Sequence, residues 1–235
     1  DAGKQGSDKQ SFHHFVWTPS LRFYWKFHHF WEFMATGSYK HSPTSYMNLN
    51  DTYYYKNRNL LQRGIDGLGM DKQTQGSLNL YYRNPFHAFW SRLNMTYTQN
   101  KSDLISGYDF IGTQPIYTWQ MANRSYKQFN VRGNVGKMVD AIQTNLDVSI
   151  GYSHTLYTQY QQKTLRDTRS NQGYFIFNSN TRITSWWDWE LTWNSVVSHN
   201  NGYETLWNHQ LATNMTFSFG KWTFIPKLDY TRNQL

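Results

Sequence analysis

The 235 residues include no cysteine and no run of about 18 apolar residues, which excludes a disulfide framework, a thiolate metal site and a transmembrane helix. The formal net charge is +8, but the basic residues are scattered and form no stripe, so we expect no nucleic-acid partner. Aromatic residues make up 19% of the chain although its mean hydropathy is -0.78. A membrane barrel combines these properties, because an apolar outer band with aromatic girdles surrounds a polar lumen.

Apolar and polar residues alternate along most of the chain. In the first such run Leu21, Phe23 and Trp25 share one parity, and Arg22 and Lys26 lie on the other. The pattern recurs in ranges 31–40, 78–82, 89–98, 129–134, 142–153, 175–183, 187–197, 210–219 and 221–230. Successive side chains of a strand point to opposite faces, so each run predicts a strand with one apolar and one polar face. We expect an all-β chain of about ten antiparallel strands, 9–11 residues each, with irregular parity between Tyr117 and Lys127.

The connections between these runs alternate in length. Short turns are predicted at 28–29, 84–87, 135–139, 184–186 and 220, and long polar connections at 41–74, 100–115, 155–172 and 198–204. Outer-membrane barrels have short periplasmic turns and long extracellular loops. The sequence therefore predicts an outer-membrane location in a Gram-negative bacterium, with membrane lipid as a partner. It also places both chain ends outside the cell, so we expect residues 1–235 to form one domain of a barrel that is incomplete at both ends.

Four short segments resemble the barrel of TonB-dependent receptors: Thr18–Phe23, Tyr39–Pro43, Asn59–Gly64 and Tyr82–Ala88. The resemblance implies a barrel of about 22 strands and energised uptake of a nutrient across the outer membrane. It further implies partners beyond this chain, namely the remaining strands, a plug domain, the TonB system and a surface lipoprotein. The sequence itself contains neither a plug nor a segment that contacts TonB.

The polar parity supplies the candidate lumen residues, which are Arg22, Lys26, Arg92, Arg132, Asp147, Asp188 and Glu190. Tyr53, Tyr54 and Tyr55 lie in the first long connection. They either pack the loop or extend the girdle, or else their rings stack on a sugar or another planar ligand that arrives from outside.

Catalytic and metal sites find little support. Asp188 and Glu190 share one face of a strand and resemble a carboxylate pair for hydrolysis, but polar lumen walls and the nearby Arg182 account for them. The pairs His13–His14 and His28–His29 fall at opposite ends of the first strand and cannot share an ion. We therefore expect no catalytic residue, no metal and no cofactor.

The main functional prediction is part of the barrel of a TonB-dependent transporter. Two alternatives remain open. One is an outer-membrane barrel with a structural or adhesive role, and the other is a soluble, aromatic-rich β module that binds carbohydrate.

Overall fold

The computed structural model describes residues 15–43, 52–58, 60–65, 69–161, 164–202 and 204–234. The strands are β1 (Ser20–His28), β2 (Trp31–Pro43), β3 (Tyr53–Asn57), β4 (Leu60–Arg63), β5 (Met70–Asn84), β6 (Phe89–Ile111), β7 (Gln114–Val139), β8 (Thr144–Gln161), β9 (Thr164–Thr184), β10 (Trp187–Asn200), β11 (Leu206–Phe219), β12 (Trp222–Phe224) and β13 (Lys227–Gln234). Two 3-10 turns lie at Pro85–His87 and Asp140–Ile142. Within these ranges no helix is long and apolar enough to cross a bilayer.

The strands form one 13-stranded sheet, which confirms the predicted all-β, antiparallel architecture. The order β1-β2-β5-β6-β7-β8-β9-β10-β11 is an antiparallel meander that ends on β12 and β13. Within the described ranges, β1 pairs only with β2 and β13 only with β11, so the sheet is not closed. The barrel closure and the size of about 22 strands remain predictions.

Cross-strand register places the apolar parity of all long strands on one face. One row of partners comprises Trp25, Phe33, Leu80, Leu93, Gly133, Ile150 and Phe175. The opposite face carries a polar row of Arg22, Thr36, Ser77, Thr96, Asn130, Ser153 and Gln172. We call the first face, between the short turns and the level of Tyr97 and Phe129, the apolar band.

The strands are tilted relative to the line of short turns. Trp25 lies three residues from the end of β1, whereas Phe175, in the same row, lies nine residues from the end of β9. A row perpendicular to the strands therefore climbs away from the short turns as it crosses the sheet. Membrane barrel strands tilt in this way.

Burial is inverted relative to a soluble protein. On β8, Ile150 of the apolar band is 59% exposed while the neighbouring Ser149 is 8% exposed. On β5, Leu78 is 46% exposed and Asn79 only 4%. In both pairs the polar residue is buried and its apolar neighbour is exposed.

A second region obeys the opposite rule. Beyond the band, the ranges 99–111, 114–127, 155–161 and 164–171 of β6 to β9 continue as a β extension, against which the β3–β4 hairpin packs; we call this the distal lobe. Its buried apolar residues are Ile65, Leu104, Ile105, Ile116 and Tyr160, which are the buried hydrophobic residues of the described chain. The lobe therefore has its own small core.

The predicted long connections at 100–115 and 155–172 are wrong, because nearly all of these residues belong to strands. β6 and β7 are joined by a tight turn at 112–113, and β8 and β9 pair as far as Gln161 and Thr164. These strands carry polar residues on both faces, so they lack the alternation from which strands were predicted. A β extension that lies in water on both sides does not need one apolar face. The irregular parity before Lys127 has a local cause: the β6–β7 register shifts between Ser102 and Leu104, with one extra residue on β7. Thirteen strands rather than about ten result from β3, β4 and β12, which add short strands to ten longer ones.

The short turn predicted at 135–139 is also misplaced. The structure continues β7 to Val139 and turns at Asp140–Ile142. Gly136 is required here by packing rather than by a turn, because a Cβ at this position would lie 2.3 Å from Nε1 of Trp90. The turns predicted at 28–29, 84–87, 184–186 and 220 are confirmed to within two residues. The connection predicted at 198–204 begins three residues later, because β10 extends to Asn200.

Candidate functional site

All seven candidate lumen residues lie on the polar face of the sheet. Arg22 is opposite Thr36, Arg132 is opposite Asn94 and Gly151, and Asp147 is opposite Gly136. Lys26, Arg92, Asp188 and Glu190 occupy the same parity on their strands. Alternation alone was sufficient to assign them to one face, because a regular strand leaves each side chain only two directions.

Two of the basic members, Lys26 of β1 and Arg92 of β6, lie near the short-turn ends of their strands. Nζ of Lys26 lies 3.8 Å from Oε1 of Glu32, and the guanidinium of Arg92 lies 5.0 Å from the centre of the Tyr81 ring. These residues line an open cleft of about 730 Å³, together with His29, Arg83 and Trp90. The cleft presents mixed charge and aromatic edges to whatever occupies the polar side of the sheet.

The acidic members lie on β10 and are already engaged. Nε of Arg182 lies 3.1 Å from Oδ1 of Asp188, which confirms the neutralising role expected for that arginine. Glu190 accepts hydrogen bonds from Nδ2 of Asn180 at 3.3 Å and Nδ2 of Asn214 at 3.5 Å. Two carboxylates held by separate partners give no geometric indication of an acid–base pair.

Between the charged residues, amides and hydroxyls form bonded ladders across the strands. Oγ1 of Thr36 and Oγ of Ser77 are 2.6 Å apart, and Nδ2 of Asn94 donates to Oδ1 of Asn79 at 2.7 Å. Asn134 donates to Ser149 in the same way on β7 and β8. These bonds satisfy partly buried polar groups, which would be costly to leave unpaired.

The structure separates the three tyrosines of β3. Tyr54 pairs with Gln62 and shares a face with Tyr117 and Tyr108, whereas Tyr53 and Tyr55 lie on the other face. The three rings therefore do not form one platform. Tyr53 and Tyr55 are exposed, and the Arg63 guanidinium lies 5.2 Å from the Tyr53 ring centre.

Sequence reasoning missed a second group of rings in the distal lobe, because it treated 100–115 as loop. Tyr108 and Tyr117 are cross-strand partners with ring centres 5.2 Å apart, and Trp119 lies 5.8 Å from Tyr117. Nζ of Lys56 lies 5.1 Å from the Tyr117 ring, and Tyr108 and Phe110 are exposed. Alternation of Tyr108 and Phe110 with Asp109 was the available signal.

Only one of the two histidine pairs lies among the described residues. His28 and His29 lie at the β1–β2 turn with ring centres 5.6 Å apart, while His13 and His14 lie outside the described residues. Across the described ranges, no three His, Asp or Glu side chains are grouped closely enough to hold an ion.

No family model and no curated protein matches the chain. The fold is similar to solved outer-membrane proteins. The β domain of the Bordetella autotransporter BrkA is 10% identical over 93% of this chain and 92% of its own, with a TM-score of 0.37. In-vitro folded OmpT of Vibrio cholerae, an outer-membrane protein, is 9% identical over 93% of this chain and 85% of its own, with a TM-score of 0.38.

The prediction of a TonB-dependent transporter is wrong, because these neighbours are an autotransporter β domain and outer-membrane proteins rather than TonB-dependent receptors. The segment Tyr82–Ala88 illustrates why the resemblance misled. It forms the end of β5 and a 3-10 turn in which Oδ1 of Asn84 accepts hydrogen bonds from the backbone N–H groups of Phe86 and His87. A capped turn between strands is a local solution open to any barrel, so its sequence does not identify a transporter.

Proposed function

We propose that this chain forms the wall of an outer-membrane β-barrel with a structural and adhesive role. The observation that carries the proposal is the inverted burial, with Ile150 exposed beside a buried Ser149. An apolar face of this extent needs an apolar solvent, since large exposed apolar patches are an aggregation hazard in water. A soluble carbohydrate-binding module has no use for such a face.

The dimensions of the band fit a bilayer. On β6 it extends over eight residue steps from Phe89 to Tyr97, about 27 Å along the strand at about 3.4 Å per residue. A strand tilt of about 40° reduces this to about 21 Å along the membrane normal, close to the band of about 25 Å in outer-membrane barrels. Tyr97 and Phe129, at its upper border, are cross-strand partners and suit the aromatic girdle.

The adhesive part is the distal lobe on the side of the long hairpins, which this proposal places outside the cell. Its core holds the β3–β4 hairpin on β7, while Tyr53, Tyr55, Tyr108 and Phe110 remain exposed. Aromatic rings are enriched at protein contact surfaces because they combine a large apolar area with few rotatable bonds.

Cysteine labelling tests the membrane assignment, since the 235 residues contain no cysteine. Ile150→Cys lies on the apolar band, and the matched Ile176→Cys lies opposite Ser149 on the polar face. In chain folded into lipid vesicles, a water-soluble maleimide is expected to label Ile176→Cys and to spare Ile150→Cys, while denaturant equalises the two. Rapid labelling of Ile150→Cys in intact vesicles would refute a lipid-facing band.

A further inference from the structure

We propose that Lys72, Lys101 and Lys127, the cationic row, bind the phosphate groups of lipids in the outer leaflet. This inference rests on the proposed function, because it requires the apolar band to lie in a bilayer. It adds a specific lipid headgroup chemistry to a wall that otherwise contacts acyl chains.

The three lysines are contiguous on one face. Lys72 of β5 and Lys101 of β6 are direct cross-strand partners. Lys101 is opposite Ser125, so Lys127 is its diagonal neighbour two residues along β7. All three are exposed and lie on the parity of the apolar band.

The row lies at one height above the short turns. Lys72 precedes the end of β5 at Asn84 by 12 residues, Lys101 follows the start of β6 at Phe89 by 12, and Lys127 precedes the end of β7 at Val139 by 12. Twelve residues are about 41 Å along a strand, or about 31 Å along the normal at a tilt of about 40°. This is the headgroup level, just beyond the girdle residues Tyr97 and Phe129.

The described part of the chain offers these three charges no partner. Among the described residues, no hydrogen bond or ion pair involves the ammonium groups of the row. Asp103, two residues beyond Lys101 on β6, instead accepts a hydrogen bond from the backbone N–H of Met70 at 3.3 Å. His41, opposite Lys72, lies on the same face.

Like charges placed directly across two strands destabilise a sheet unless a counter-charge is present. A lipid phosphate supplies that counter-charge at the correct height, and lysine is a common phosphate ligand. The acyl chains of the same lipid would lie on the band below, so one ligand satisfies both the charged and the apolar parts of this surface.

The test uses the full chain refolded into vesicles of a neutral phospholipid that contain a small fraction of lipid A, either phosphorylated or with its phosphates removed. Retained lipid is counted by native mass spectrometry after transfer to detergent. We expect phosphorylated lipid A to be retained at least tenfold more than the dephosphorylated form, and the variant K72Q/K101Q/K127Q to abolish that preference. Each lysine near an anionic lipid surface strengthens binding about fivefold. Removing three lysines is therefore sufficient to abolish a tenfold preference.

The variant K40Q/R124Q/K221Q removes the same number of charges elsewhere, since Lys40 and Arg124 face the polar side and Lys221 lies at a short turn. It should keep the preference for phosphorylated lipid A. Three outcomes would each overturn the site. They are an equal loss of preference in this control, an unchanged preference in K72Q/K101Q/K127Q, and displacement of the lipid by millimolar inorganic phosphate. Maleimide labelling of Ile150→Cys in the same vesicles separates the lipid site from the proposed function. If Ile150→Cys is protected but phosphorylated lipid A is not preferred, the cationic row is refuted and the membrane assignment stands.

Discussion

The apolar band and the distal lobe share strands β6 to β9, but apolar side chains are exposed in the band and buried in the lobe. In the band, Ile150 is exposed and Ser149 buried, whereas in the lobe Leu104 and Ile105 are each 1% exposed. The backbone pairing continues from one region to the other, so strand geometry does not distinguish them. The difference teaches that the solvent around each region, rather than its hydrogen bonding, decides which face takes the apolar residues.

The largest expected effect is in the lobe core. Ile105→Ala removes a fully buried side chain and is expected to destabilise the lobe by about 2–5 kcal/mol, as in other cores. Limited proteolysis of the vesicle-bound chain should show new cleavage in the lobe while the band stays protected. Leu165→Ala, at an exposed lobe position, is the control and should leave the cleavage pattern unchanged.

The second test introduces charge on the two faces of the band. Ile150→Arg is expected to cost about 2–4 kcal/mol in the free energy of unfolding, because it places a cation against lipid. Ile176→Arg, on the polar face opposite Ser149, should cost clearly less. Urea titration of both variants in vesicles measures the difference, and equal costs would break the distinction between the faces.

A third test uses two glycines in the two regions. A Cβ on Gly107 would lie 2.1 Å from the backbone oxygen of Tyr160, where β6 and β8 meet in the lobe, whereas a Cβ on Gly133 in the band meets nothing within 4 Å. We expect Gly107→Ala to cost about 1–3 kcal/mol by overpacking and Gly133→Ala to change stability by less than about 1 kcal/mol. Amide hydrogen exchange should place the loss in the lobe, and protection equal to that of the natural chain would contradict the close contact.

The smallest effect on stability is expected at the exposed rings. Tyr55→Ser changes a side chain that is 69% exposed and should alter the free energy of unfolding by less than about 0.5 kcal/mol. Combined with Phe110→Ser, it should nevertheless reduce aggregation of cells that display the chain, as followed by sedimentation. Unchanged aggregation at equal surface amounts would remove the adhesive part of the proposed function.

Within the band, the sequence by itself determined the strands, their two faces and most of the short turns. Alternation such as that of Leu146, Val148 and Ile150 with Asp147 and Ser149 leaves a strand only one way to lie between lipid and a polar side. The seven charged residues of the polar face follow from the same parity, because no long-range contact is needed to assign them.

Only the tertiary structure decided the lobe and the details of register. Residues 100–115 resemble a loop in the sequence because polar residues occupy both faces of these strands, and the hairpin that packs on the lobe comes from a distant segment, with Leu61 of β4 beside Ile116 of β7. Gly136 looked like a turn until the Trp90 ring above it was placed. The cationic row likewise has no sequence signature, since residues 72, 101 and 127 become neighbours only through the pairing of three strands. A local pattern can record the solvent that a strand meets, but not which strand lies beside it.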